Sequence, residues 1–205
     1  MTLYYMLADK AFALEVEQVV RELRIMRSTT LIEEVRAAKV CTTAPTLAGH
    51  GGSGAAALAN TVQEHERHLA EGGRTWNKGT AHDLAVMLTN NGRYFRLVSE
   101  HVICTKGQSE SGLCTAKRGE PDTGNCKTRC SHRIEEKAGR RDTEELIEAL
   151  MSRAERALAE NELLALEAYV HQLDQELERY EDLGAKFSAE RLATLRSAIS
   201  HDYPA

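Results

Sequence analysis

Four of the five cysteines in the chain fall within 27 residues, as Cys104, Cys114, Cys126 and Cys130, with His132 just beyond them. The run reads C-x9-C-x11-C-x3-C-x-H. Thiolate and imidazole are the donors with which a protein surrounds Zn2+ in a tetrahedron. Cys126 and Cys130 are close enough in sequence to hold one ion from a single turn. Cys104 ends a β-rich run and Cys114 sits in a Gly-flanked loop, so both can converge on them. Gly107, Gly112, Gly119, Pro121 and Gly124 intervene and cannot build a core, so a metal would explain why this stretch folds. The expected ligand set is Cys104, Cys114, Cys126 and Cys130; the alternative replaces Cys104 by His132. Four protein ligands close the coordination sphere, which makes the zinc structural. No glutamate stands in the relation to these ligands that a zinc protease or a zinc deaminase needs. The competing reading is a set of reduced, partly buried thiols with no metal. Cys41 stands apart and reads as a small core residue.

The same stretch is rich in cations. From Cys104 to Arg141 there are 9 basic against 5 acidic residues, a local charge of +4. Lys106, Lys117, Arg118, Lys127, Arg129 and Arg133 are the candidate contacts to DNA phosphates. The other reading is a solvated surface that balances the acidic tail, since residues 142–205 hold 6 basic against 15 acidic side chains. The total of −5 therefore hides a basic segment beside an acidic one.

Composition narrows the class. An apolar fraction of 42% is too high for a disordered chain. No run approaches the ~18 apolar residues of a membrane span, and MTLYYMLADK carries no basic region followed by an apolar stretch of secretory type. A cytoplasmic location is expected, where thiols stay reduced. The length suits one sizeable domain or two small ones.

The elements that would position the cysteines can be read from periodicity. Phe12, Val16, Val19 and Leu23 share a helical face from about Ala8 to Arg27, and Leu31, Ile32 and Val35 carry helix on to about Lys39. Residues 1–43 form this N-terminal segment. Residues 44–54, PTLAGHGGSG at their heart, read as a Gly-rich linker without a P-loop signature. Residues 55–141 read as a small α+β module. It has a helix to Glu71 stopped by Gly72-Gly73, and a second helix opened by a capping box at Thr80 to Asp83 and stopped at Asn90-Asn91-Gly92. A hairpin of residues 94–98 and 101–104 follows. Two helices and a hairpin suggest a winged-helix-like unit, or a compact module without DNA contact. Residues 142–205 begin at a capping box, Asp142 to Glu145. Leu163, Leu166, Val170, Leu173, Leu177 and Tyr180 then step by heptad spacing up to a stop at Gly184, and Ser188 caps a last helix with Leu192, Leu195 and Ile199. The seam suits an antiparallel hairpin packing on itself, or a coiled coil with another copy or partner. The fold class expected is mainly α with a small β-hairpin, an α+β chain with a zinc-stabilised loop before the helical hairpin.

Outside the cysteine run, chemistry is thin. His65 and His68 could pair on a metal, but Glu64, Glu66 and Arg67 around them suit a solvated helix face. Trp76 is expected to anchor an interhelical loop in the core. No nucleophile triad is recognisable and no small-molecule substrate is evident.

Met1-Thr2-Leu3-Tyr4-Tyr5, followed by a helix near Asp9, resembles the end of the tyrosine recombinase (phage integrase) catalytic domain. There a Thr-x-x-Tyr turn presents the nucleophile and a C-terminal helix follows. Cys-Thr-Lys at Cys104 to Lys106 and Cys-x3-Cys-x-His-Arg at Cys126 to Arg133 resemble cysteine-bearing tails of some large bacterial integrases. The resemblance implies Tyr5 as the nucleophile, with Tyr4 the lesser candidate. It also implies that two arginines, a lysine and histidines lie ahead of the tyrosine. A phenol of pKa near 10 needs such cations and a base to attack a phosphodiester, and no later Arg or His matches those roles. The implied function is therefore the C-terminal part of a site-specific recombinase, inactive alone, that supports DNA or protomer contacts. The alternative is an independent zinc-binding module that binds DNA or protein.

Overall fold

The computed structural model describes residues 2–41, 48–115, 118–180, 182–187 and 189–200. They form a mainly helical α+β fold with a three-stranded antiparallel sheet. Among the described residues no helix is long and apolar enough to cross a membrane.

Helix α1 spans Thr2–Cys41 without interruption. The segment contains neither Gly nor Pro. Thr29 and Thr30 do not break it because their hydroxyls donate back to the carbonyls of Ile25 and Met26, at 2.8 and 3.2 Å. The Thr2 to Tyr5 stretch, expected as a turn, is thus the first turn of a helix. The helix carries two apolar stripes about 180° apart at 3.6 residues per turn. Ile25, Ser28, Leu31, Ile32 and Val35 are buried, whereas Phe12, Val16, Val19, Leu23 and Met26 are exposed, Phe12 by 68%.

Helices α2 (Ser53–Glu71) and α3 (Lys78–Leu88) pack on the second half of α1. Gly72 caps α2 as the sequence suggested. The cap of α3 is Asn77 rather than Thr80: Asn77 Oδ1 accepts from the Thr80 N–H at 3.0 Å and Thr80 Oγ1 accepts from the Asn77 N–H at 3.3 Å. The box is real but starts three residues earlier, because Asn is as good a cap as Thr. Trp76 packs at the rim of this core, 3.4 Å from Glu33 and beneath Arg36.

Strands β1 (Arg96–Ser99) and β2 (Val102–Cys104) form the expected hairpin, with an irregularity between Leu97 and Ser99. A third strand, β3 (Arg133–Glu135), adds to β2 with Cys104 opposite Arg133 and Ile103 opposite Ile134. Three residues are too few to give a period-2 pattern, so β3 is not legible from sequence.

The Gly-rich stretch is not a linker where it is described. Gly51 pairs with Glu135 through two backbone bonds of 2.8 and 2.9 Å and so extends the sheet by one residue. A Cβ on Gly51 would stand 2.1 Å from the carbonyl oxygen of Arg179, and one on Gly52 2.5 Å from that of Arg133. Glycine serves close backbone approach here, not flexibility.

Helices α4 (Arg140–Ala159) and α5 (Leu163–Leu177) form a hairpin closed by residues 160–162. The helix expected from the Asp142 box starts earlier, at Arg140, with no side-chain cap bond; Thr143 Oγ1 donates to the Gly139 carbonyl instead, at 3.0 Å. The seam Leu166, Val170, Leu173 and Leu177, with Tyr180, packs on Ile147, Leu150, Met151 and Ala154 of α4 and on Leu192 and Leu195 of α7 (Ala189–Ser200). This fills within the chain the seam that a coiled-coil partner would have used. Gly184 does not end α5 but lies inside the short α6 (Leu183–Lys186). The Ser188 cap and residues 42–47 lie outside the described residues, and so does the side chain of Cys41.

Candidate metal centre

Three elements bring the cysteine run to one place. Cys104 is the last residue of β2, opposite Arg133. Cys130 closes a turn by donating its N–H to Lys127 O at 3.1 Å, and its own carbonyl accepts from the Arg133 N–H at 3.1 Å. The two ends are stitched by Thr105, whose N–H donates to the His132 carbonyl at 2.8 Å. Cys126 follows a 3-10 turn, Thr123–Asn125, and its Sγ lies 3.7 Å from Nη1 of Arg133. Cys114 sits in the tight Gly112 to Thr115 loop, and its carbonyl accepts from Asn125 Nδ2 at 3.4 Å. Cys104, Cys126 and Cys130 thus each meet Arg133, and Cys114 is tied to the residue before Cys126.

Cys104 and Cys130 are buried, Cys114 and Cys126 half-buried, and none is in a disulfide. Burial pushes the Cys104 thiol above the ordinary cysteine range, against a backbone bond from Lys106, and Cys126, Cys130 and Cys114 add to the rise. Burial likewise raises Cys126, while Arg133 opposes the rise. A cation beside Cys104 and Cys126 would offset the burial that opposes their ionisation. Among the described residues, no three of His, Cys, Asp or Glu are already arranged to hold an ion. The thiols are gathered without being closed around a point.

His132, the alternative ligand, faces elsewhere. Its Nε2 is 2.9 Å from the Ser111 carbonyl and its Nδ1 3.9 Å from Glu110.

Among the described residues, the expected DNA contacts are divided between buried, paired and exposed cations. Lys106 is only 1% exposed. Its ammonium donates to the carbonyls of Gly119 and Gly107, the latter at 3.4 Å, and so closes the loop that carries Cys114. Lys106 is an internal cross-link rather than a surface charge. Arg129 pairs with Glu178 and Arg133 with Glu135. Arg118 and Lys127 are exposed, and Lys117 lies outside the described residues. The side chains of Tyr4 and Tyr5 also lie outside them. On α2, His68 is an exposed neighbour of Glu71 at 3.3 Å, and His65 meets the edge of Trp76 at 6.0 Å.

Sequence reasoning missed the cluster beside the cysteines. Glu135 is 1% exposed and accepts from Arg133 and, at 2.9 Å, from Arg179. Tyr180 donates its hydroxyl to Glu136 O at 2.7 Å. The only sequence signal was a mixed-charge run, Arg133-Ile-Glu-Glu, in a stretch otherwise poor in apolar residues.

Comparison of the chain with family models, with curated proteins and with solved structures returns no match.

Proposed function

We propose that the chain is a zinc-organised interaction module, with Cys104, Cys114, Cys126 and Cys130 as ligands of one structural Zn2+. The observation that carries this reading is the convergence of the four cysteines on the β2–β3 end of the sheet, through Arg133 and Asn125. Elemental analysis of the purified chain tests it. The expected result is near one zinc per chain, with chelation unfolding the cysteine segment; a metal-free sample with the same fold overturns it.

A more specific reading makes this module the C-terminal part of a tyrosine recombinase. It is favoured by the exposed stripe of Phe12, Val16, Val19, Leu23 and Met26 on the same helix that begins with Thr2-Leu3-Tyr4-Tyr5. A recombinase catalytic domain is the occupant that the resemblance names for this stripe, and Tyr5 is the nucleophile it implies. Arg118 and Lys127 are then the cations left to meet DNA. An open frame encoding the Arg, Lys and His residues of such a domain ahead of Met1 is expected. A stop codon directly upstream, with no such frame in any phase, rules this reading out and leaves the zinc module standing.

A further inference from the structure

Arg133 lies between the cysteine cluster and the helical hairpin. Its Nη1 lies 3.7 Å from Cys126 Sγ, and its Nε donates to Glu135 Oε1 at 2.5 Å. The other oxygen of Glu135 accepts from Arg179 at 2.9 Å, and Arg179 reaches Glu176 of α5 at 2.8 Å. The four side chains make an unbroken line from a cysteine sulfur to α5. Its inner members are shielded: Glu135 and Arg133 are 1% and 12% exposed at the side chain. Nε of Arg179 is buried without a hydrogen-bond partner.

The backbone holds Arg133 in place as well. Its N–H donates to Cys130 O, and its carbonyl is covered by Gly52 and Gly54, where any Cβ would stand within 2.8 Å. The side chain leaves β3 from a fixed point. A neutral thiol is a weak acceptor, so the bond from Nη1 to Cys126 is modest as it stands. Four thiolates around Zn2+ carry two net negative charges, and a guanidinium N–H aimed at one sulfur then becomes charge-assisted.

We propose that Arg133 is the positioning residue of the metal centre: it orients Cys126 for the ion and, through Glu135 and Arg179, couples metal occupancy to the α4–α5 hairpin. This rests on the zinc reading above. Removing Arg133 leaves Cys126 free to rotate and leaves the charge of the loaded centre without the cation beside Cys126. Removing Arg179 leaves the centre intact but breaks the line beyond Glu135.

The test titrates Co2+ and Zn2+ into the full chain and follows the thiolate-to-Co2+ absorption, a competing chelator, and hydrogen exchange of α4–α5 with and without metal. Wild type is expected to bind one ion and to gain protection in the hairpin. Arg133→Met should weaken binding about 10- to 100-fold, the range of such outer-shell losses, shift the absorption, and abolish the gain in protection. Arg133→Lys, which keeps the charge and loses the fork, should fold as wild type and bind with intermediate affinity. Arg179→Met should bind metal within about threefold of wild type, a change well under one tenfold step, yet lose the protection gain. If wild type binds metal and both Arg133 variants match its affinity and absorption, the positioning role is wrong while the centre stands. If wild type binds no metal, the centre itself is wrong.

Discussion

His50 Nδ1 accepts the backbone N–H of Lys137 at 3.1 Å, while its Nε2 stands 2.9 Å from Glu34 of α1. One ring therefore ties the Gly-rich segment to both α1 and the turn that precedes α4. The first bond requires Nδ1 without a proton, so the ring is neutral with its proton on Nε2.

Burial lowers the pKa of His50, against the opposing pull of Glu34 and Glu136 and with the help of Lys137. Its folded value lies below its unfolded value of about 6.5, so the unfolded chain binds more protons in that window. Stability from this group is present above about pH 6.5 and is lost as pH falls toward the folded value. Urea unfolding between pH 8 and 5 should show this decline, and His50→Asn should flatten it. An equal slope in the variant would remove His50 as its source. The Glu34 carboxyl, held below its usual range by Lys137 and His50 against its own burial, acts lower, as pH falls below about 4.5.

Gly51 and Gly184 make a contrast within one residue type. A Cβ at Gly51 would meet Arg179 O at 2.1 Å and the Tyr180 ring at 2.7 Å, both from the opposite half of the molecule. Gly51→Ala should cost at least about 2 kcal/mol, as overpacking against backbone does. Gly184 lies in α6 with nothing within 4 Å of its Cβ position, and Gly184→Ala should stabilise by about 0.5–1 kcal/mol. Thermal unfolding distinguishes the two. A tolerated Gly51→Ala would mean that the sheet and the hairpin do not touch there.

Lys106→Met keeps the aliphatic stem and removes the ammonium that holds Gly107 and Gly119. Leaving those buried carbonyls unpaired should cost about 1–3 kcal/mol. Metal affinity should fall as well, because the loop carrying Cys114 opens. Affinity for DNA, measured by gel shift at low salt, should not change. A loss of DNA binding with unchanged stability would return Lys106 to the surface role its sequence suggested.

The two halves of α1 should respond differently. Val19→Asn alters an exposed residue and should shift stability by no more than about 0.5 kcal/mol. Leu31→Ala empties a fully buried site and should cost about 2–5 kcal/mol. Equal costs would mean that the exposed stripe is covered in the isolated chain.

What the sequence made legible follows from the range of each interaction. The helix of residues 53–71 announced itself through its glycine stop, and those of 140–159 and 163–177 through local periodicity. The heptad seam also pointed to its outcome, since a short hairpin connection lets it pack on its own neighbour. The larger failures were long-range, while the misplaced caps of α3 and α4 were local. β3 exists because Ile134 finds Ile103, about thirty residues away. The glycines around His50 looked like a linker because flexibility and close approach require the same residue. Lys106 looked solvent-facing because its partners, Gly107 and Gly119, are carbonyls that leave no mark in a charge count. The spacing of the cysteines carried no sign that Arg133 would stand beside Cys126.

Co2+ titration of the purified chain tests the central claim most directly. The account predicts tetrahedral thiolate absorption that saturates at one Co2+ per chain, is displaced by Zn2+, is lost in Cys104→Ser, and persists in His132→Ala. Absence of that absorption in a folded sample, or its survival in Cys104→Ser, would contradict it.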